Sequence, residues 1–473
     1  MIICTEYMLP ALCDRKICGE RTSCSVQIPE IVKESDVSAD RIPSILFGIS
    51  DTGGGHRTGA VAIDAALDGL VGSGAKRHIV DILASTGIPL VRDAPELYDQ
   101  LSTRWLPIYD LMFQLTDGRY RVDALTQFVY LSAHRNIVRV LEATRPDLVV
   151  SVHPLVNRLI GNARRTYKLS FRFVTVVTDL VTVHAAWADP DAELCIVPTQ
   201  EAYDLFCARG FPPEKLVQAG FPVHPKFATY AGTRREARAQ LGIDLDPFTL
   251  LVTSGGVGSG QLRELVLDLD RAYPKLQLMV VTGKNATLRQ ELLALGLRPG
   301  IHIYGFVDNM EQLMAASDII ITKAGPGTLM EAMAMRRPVI VTEAVGMQER
   351  GNIDFVLNHE LGFFCPTRDR IVPAIADLMD AQNYAATVAR LADAVPRQGA
   401  QQIAQILLDQ LQLAPPPRKR RLRLPHVAEL RQLSARRLRL TAVRARRRQS
   451  FIMRRWRLKP IRSLSRWRRS RPS

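Results

Sequence analysis

The sequence lacks the features that would mark a secreted, metal-holding or membrane-spanning chain. Its 473 residues include seven cysteines and no Cys-x-x-Cys pair. Cys4, Cys13, Cys18 and Cys24 crowd the N-terminus, while Cys195, Cys207 and Cys365 are scattered. That spacing suits neither a zinc finger nor a disulfide framework, so reducing, cytosolic surroundings are the expectation. No stretch approaches the ~18 to 20 consecutive apolar residues of a membrane span. Asp14, Arg15, Lys16, Glu20 and Arg21 interrupt any apolar core that a secretory signal would need. Two phosphate-binding signatures are also missing. The motif DTGGGH at residues 51–56 is not followed by GK[ST] and does not fit GxGxxG, which excludes a Walker loop and argues against a nicotinamide dinucleotide. His153, His184 and His224 have no HxxxH spacing, so no metal is expected.

Charge of one sign is present in excess, but only locally. The formal net charge is +15, yet residues 418–473 carry 22 Lys or Arg against one acid, Glu429, and the rest of the chain has 40 basic and 46 acidic residues. The body is therefore mildly acidic, and the basicity belongs to a tail that begins after Pro415, Pro416 and Pro417. Its arginines are interleaved with Phe451, Ile452, Trp456, Leu458, Leu464 and Trp467, a composition suited to an interfacial helix on anionic lipid. Nucleic-acid binding and a solubilising tail are the other readings of such a stretch.

The chain is long enough for two domains, since single cores usually stop growing near ~250 to 300 residues. From residue 44, short apolar runs alternate with amphipathic helices, which predicts parallel sheets covered on both faces. Strands are expected at 45–50, 77–81, 148–152, 172–177 and 194–197, then at 248–254, 276–282, 302–304, 319–322 and 339–342. The division reads as a poorly ordered leader (1–43), a first Rossmann-like domain (44–225), a second Rossmann-like domain (226–413) and a Pro/Arg-rich tail (414–473). Facing sheets of this kind place their strand-end loops around one cleft. Within 93–136 the pattern is helical, with Leu97, Leu101, Trp105, Leu106, Tyr109, Leu111, Met112 and Phe113 forming an apolar set for packing or for meeting lipid.

The richest stretch is 318–352. A buried strand runs into Lys323, Ala324, Gly325, Pro326, Gly327 and Thr328, then into a helix whose free N–H groups suit a diphosphate. Glu331, one turn in, is placed to accept hydrogen bonds from two ribose hydroxyls. Gln348, Glu349 and Asn352 offer the donors and acceptors a sugar needs. In the first half, the glycines Gly53, Gly54 and Gly55 let the backbone approach a ligand, and His56 beside them suits a base that takes a proton from an acceptor hydroxyl. Asp179 ends the strand FVTVVTD, where it either orients His56, holds the acceptor or caps a helix, and His184 and Trp187 complete a candidate acceptor pocket.

These residues, with SVHPL (151–155), VTDLVTVHAAW (177–187), AGFPVHPKF (219–227), KAGPGT (323–328) and the Gln-Glu-x-x-Asn cluster, resemble in identity and order the monogalactosyldiacylglycerol synthase family. The resemblance spans about residues 44–412. It implies the GT-B fold, an α/β architecture with two Rossmann-like domains, and adds three expectations. SGGVGSG at 254–260, with Gly255 and Gly256, faces the diphosphate. Phe306 and Val307 in YGFVDNM hold the base. His153 lies on the acceptor side.

The expected activity is transfer of galactose or glucose from a UDP-sugar to diacylglycerol, with inversion and with no cofactor beyond the donor. The partners expected are the UDP-sugar, diacylglycerol and an anionic membrane surface gripped by the tail, not nucleic acid, on the cytoplasmic face as a peripheral protein. A UDP-GlcNAc transferase acting on a polyprenyl diphosphate, and a degenerate transferase body that only binds membrane or nucleic acid, are the alternatives. The residues do not choose between galactose and glucose, nor set the oligomeric state.

Overall fold

A computed structural model of the chain describes residues 41–51, 54–88, 91, 116–253, 262–344 and 346–412, with Trp105, Pro107, Asp110, Leu111 and Gln114. The tail, nearly all of the leader, Gly53, Gly255, Gly256 and the apolar set other than Trp105 and Leu111 lie outside the described residues.

Two sheets of six parallel strands each organise the chain. The first contains β1 (Ser44–Ile49), β2 (Lys76–Asp81), β3 (Leu148–Ser151), β4 (Arg172–Val176), β5 (Leu194–Val197) and β6 (Leu216–Gln218), in the order β2-β1-β3-β4-β5-β6. The second contains β7 (Thr249–Thr253), β8 (Gln277–Val281), β9 (Ile301–Tyr304), β10 (Ile319–Thr322), β11 (Val339–Val341) and β12 (Gly362–Phe364), in the order β12-β11-β10-β7-β8-β9. This is the expected GT-B arrangement. Every strand foreseen from the sequence is present to within one residue at each end. β6 and β12 were not foreseen. Both are three-residue strands at a sheet edge, too short for a run of apolar residues to announce them.

The burial of each strand follows its place in the sheet. β1, β3, β7 and β10 are buried along their whole length, as strands covered on both faces must be. The edge strand β2, KRHIVD, is only partly covered and carries its charges there. In each sheet the order reverses beside the first strand, between β1 and β3 and between β7 and β10. A crevice opens at such a reversal, outside the carboxyl ends of the strands, because neighbouring connections leave to opposite faces. The loops after β1, β3 and β10 therefore converge on binding clefts for topological reasons alone.

The helices that matter for the site are α1 (Gly54–Val71), α2 (Arg119–Thr144), α3 (Pro154–Tyr167), α4 (Pro326–Ala334), α5 (Gly346–Asn358) and α6 (Gly399–Gln412). α6 follows the second sheet in sequence but packs on the first. Its Ala400, Ile403, Ala404 and Leu407, spaced for one helical face, join Ile45, Phe47, Ile63 and Leu67 in one buried cluster. The crossing is tight: a Cβ on Gly399 would stand 2.1 Å from the Phe221 carbonyl oxygen. The last helix thus ties the two halves together, a placement that a linear boundary at 413 does not express.

Candidate active site

The helix that carries His56 and the helix that follows KAGPGT meet end to end across the cleft. A Cβ on Gly55 would lie 3.8 Å from Pro326 Cγ, and one on Gly327 would lie 3.6 Å from Thr58 Oγ1. Pro326 occupies the first turn of α4, and no side chain caps that turn. An uncapped helix start with a fixed proline φ offers oriented N–H groups and a positive dipole end to an anion. Lys323, in the loop before α4, and Thr328, in its first turn, are part exposed.

His56 lies among groups from three strand ends. Its Nδ1 is 3.1 Å from Thr178 Oγ1, after β4. Its ring meets the His153 ring edge-on at 4.5 Å between centroids and lies 6.0 Å from the Trp187 ring. Burial lowers the His56 pKa to about 4, opposed by the Val152 carbonyl, so the imidazole is neutral at physiological pH. His153 is held well below its ordinary value by burial and by His56.

Among the described residues, Asp179 turns its carboxylate to partners other than His56. Its Oδ2 accepts from Trp187 Nε1 at 2.6 Å, and its Oδ1 lies 3.5 Å from Gln348 Nε2, which crosses from the second half. Burial raises its pKa to about 6, with the Trp187 and Gln348 hydrogen bonds pulling the other way. Of the roles open to Asp179 from sequence, orienting His56 falls instead to Thr178, whose hydroxyl holds the ring. Nothing in the one-dimensional pattern singled out Thr178 over its neighbour.

His153 and His184 each spend Nδ1 on a backbone N–H. His153 caps α3 by accepting from Leu155, and His184 caps the turn Ala185–Trp187 by accepting from Ala186. His184 Nε2 lies 3.3 Å from Thr116 Oγ1. Trp187, fully buried, has its own carbonyl held by Asn157 Nδ2 at 3.1 Å. Of the expected acceptor residues, His153 and Trp187 thus stand beside His56, and His153 and His184 serve as caps.

On the donor side, Asn352 Nδ2 donates to the Ala324 carbonyl at 2.8 Å, which fixes the KAGPGT loop from behind. Glu349 is buried, and a Cβ on Gly325 would lie 3.8 Å from its Oε1. Glu331 sits where burial raises its pKa to about 8, opposed by Lys226 and reinforced by Glu311. Lys226 is itself paired to Glu311 at 2.7 Å and donates to the Asp308 carbonyl, so the hinge helix Pro225–Ala228 reaches the YGFVDNM segment. Phe306 is 67% exposed with Lys284 Nζ 5.8 Å from its ring centre, available to a planar base rather than used in a core. Val307 packs against the second core.

Known proteins resemble this chain in sequence and in fold. A family model described as monogalactosyldiacylglycerol (MGDG) synthase matches residues 56–223, and one described as the glycosyltransferase family 28 C-terminal domain matches 249–344. The chain is 30% identical over 343 residues to the chloroplastic monogalactosyldiacylglycerol synthase of Spinacia oleracea, covering 70% of this chain and 65% of that one. It is 30% identical over 358 residues to monogalactosyldiacylglycerol synthase 3 of Arabidopsis thaliana, covering 74% of this chain and 77% of that one. The fold also matches the solved structure of Acinetobacter baumannii MurG, with TM-score 0.52 and 14% identity over 78% of this chain and 99% of that one.

Proposed function

Because the chain belongs to the monogalactosyldiacylglycerol synthase family, we propose that it transfers a hexose from a UDP-sugar to diacylglycerol by a single displacement at the α1–α4 junction. The observation that carries the reading is the approach of the His56 helix to the uncapped start of α4. In this reading the glycerol hydroxyl oxygen attacks the anomeric carbon while the bond from that carbon to the β-phosphate oxygen breaks, and UDP leaves with the bonding electrons. In the tautomer that carries its proton on Nδ1, beside Thr178 Oγ1, His56 keeps on Nε2 the lone pair that receives the hydroxyl proton. The α4 N-terminus and Lys323 meet the charge that develops on the diphosphate, so the chemistry requires no metal. Phe306 and Val307 would hold the base, and Gln348 and Glu349 the sugar. Trp187 and Asp179 would wall the acceptor side.

The acceptor is a membrane lipid, and attachment of the enzyme to a membrane surface is part of the proposal. Trp105 and Leu111, the described members of the apolar insertion, are 58% and 54% exposed rather than packed, which supports a lipid-facing role for that insertion. No helix among the described residues is long and apolar enough to cross a membrane. The test is a transfer assay with diacylglycerol vesicles and labelled UDP-galactose or UDP-glucose. A labelled monoglycosyl lipid establishes the reaction and names the sugar. No product from either donor, with UDP still bound, redirects the search to another acceptor.

Glu331 supplies a separate check. An ionised carboxylate accepts from both ribose hydroxyls, whereas burial holds this carboxyl protonated below a pH of about 8 in the ligand-free chain. UDP binding at pH 7 is expected to release up to about one proton, and affinity to rise by up to about tenfold per pH unit until that pKa is passed. Calorimetry in buffers of different ionisation heat reads the proton. In Glu331→Gln both the release and the pH dependence should vanish; their persistence would remove Glu331 from the ribose.

A further inference from the structure

Helix α5 bears the residues proposed to handle the donor sugar, and its first two turns are contacted from the other half of the molecule. Met347 N–H donates to Asp110 Oδ1 at 2.8 Å, across 237 positions of sequence. Gln114 Nε2 lies 2.9 Å from Met347 Sδ. One residue on, Gln348 reaches Asp179. One turn later, Gly351 presses so closely on Thr182 that an added Cβ would stand 2.5 Å from its backbone nitrogen. Asp110 thus does for α5 what an N-cap residue does for most helices: a carboxylate accepts an N–H of the first turn and sits at the positive end of the dipole.

A few positions further on, Thr116 and Asp117 meet the acceptor side. Thr116 Oγ1 lies 3.3 Å from His184 Nε2, and Asp117 Oδ1 accepts from Ala185 N–H at 2.8 Å. Arg209 secures that contact, donating to the Val183 carbonyl at 2.5 Å and pairing with Asp117 at 3.5 Å. Asp110 and Gln114 therefore touch the sugar-side helix, while Thr116 and Asp117 touch the turn bearing His184 and Trp187.

We propose that Asp110 is a positioning residue for the donor sugar: by capping α5 from the other half it sets the angle of that helix, and with it the reach of Gln348 and Glu349. The inference rests on the UDP-sugar reading above, since it assigns α5 to the sugar. The ribose and diphosphate contacts assigned to Glu331 and the α4 loop lie on another helix, joined to α5 at Asn352, beyond the turn that Asp110 caps, so loss of that cap should weaken the hold on the sugar and spare the hold on UDP. A general loss of stability would weaken both.

The test compares UDP with UDP-galactose and UDP-glucose on the full chain, by calorimetry and by steady-state transfer to diacylglycerol vesicles. Asp110→Ala is expected to weaken binding of the preferred UDP-sugar, and raise its KM, about five- to tenfold while the Kd for UDP is unchanged. Asp110→Asn keeps an oxygen that accepts from Met347 N–H and should restore most of the loss. Equal weakening of UDP and UDP-sugar in Asp110→Ala would overturn the proposal, as would no change in either. Absence of UDP binding by the unaltered chain would overturn this inference together with the donor assignment itself.

Discussion

Replacing His56 with alanine is expected to lower kcat about 10²- to 10⁴-fold while UDP still binds. The ring is poised by Thr178 at Nδ1 and fixed by the edge of His153, so its orientation does not depend on substrate. Its pKa of about 4 keeps it neutral throughout the physiological range, which makes it available as a base at the cost of a smaller driving force for proton transfer. The incoming hydroxyl and the charge that develops on the departing diphosphate alter that balance during reaction. Since His56 belongs to α1 and the nucleotide is assigned to the second half, the variant should keep its affinity for UDP. Transfer by His56→Ala within about tenfold of the unaltered chain would assign the base elsewhere.

Asp179 should govern the acid side of the pH profile. Both carboxylate oxygens face donors, Trp187 Nε1–H and the Gln348 amide, so the ionised form matches its surroundings and the protonated form leaves one donor opposed. Its folded-state pKa is raised to about 6, so the carboxylate is lost as pH falls through that value. kcat/KM is therefore expected to fall about tenfold per pH unit below a pH of about 6, well above the value near 4 at which His56 would titrate. Asp179→Asn places an amide where two donors already point, and should cost about 10² in kcat/KM while moving the remaining acid limb down toward the His56 value. A limb that stays near 6 in the variant would show that another group titrates there.

The glycine-rich segments, the strand series and the family landmarks were legible because each is a local pattern. A buried parallel strand is a short apolar run, and a diphosphate loop needs small residues ahead of a helix. Phe306, expected to hold the base, stands exposed beside Lys284 rather than packed in a core. Other assignments were less visible because they depend on which turn a residue meets in space. Thr178 holds His56 across 122 positions, and Asn352 fastens the Ala324 carbonyl behind the diphosphate loop instead of standing in the open cleft. His153 and His184 were singled out for the acceptor, yet each is committed to capping through Nδ1, a duty that a sequence motif does not distinguish from ligand binding.

By itself, then, the sequence determined two Rossmann-like halves, a nucleotide-sugar loop in the second and a histidine base candidate at the first helix of the first, because hydrophobic period and loop chemistry act within a few residues. Tertiary structure alone decided that α6 returns to the first sheet, that Asp179 partners Trp187 and Gln348, and that Asp110 caps a helix in the other half. Those contacts join residues up to hundreds of positions apart, and they exist only once the strand order has brought the loop ends together.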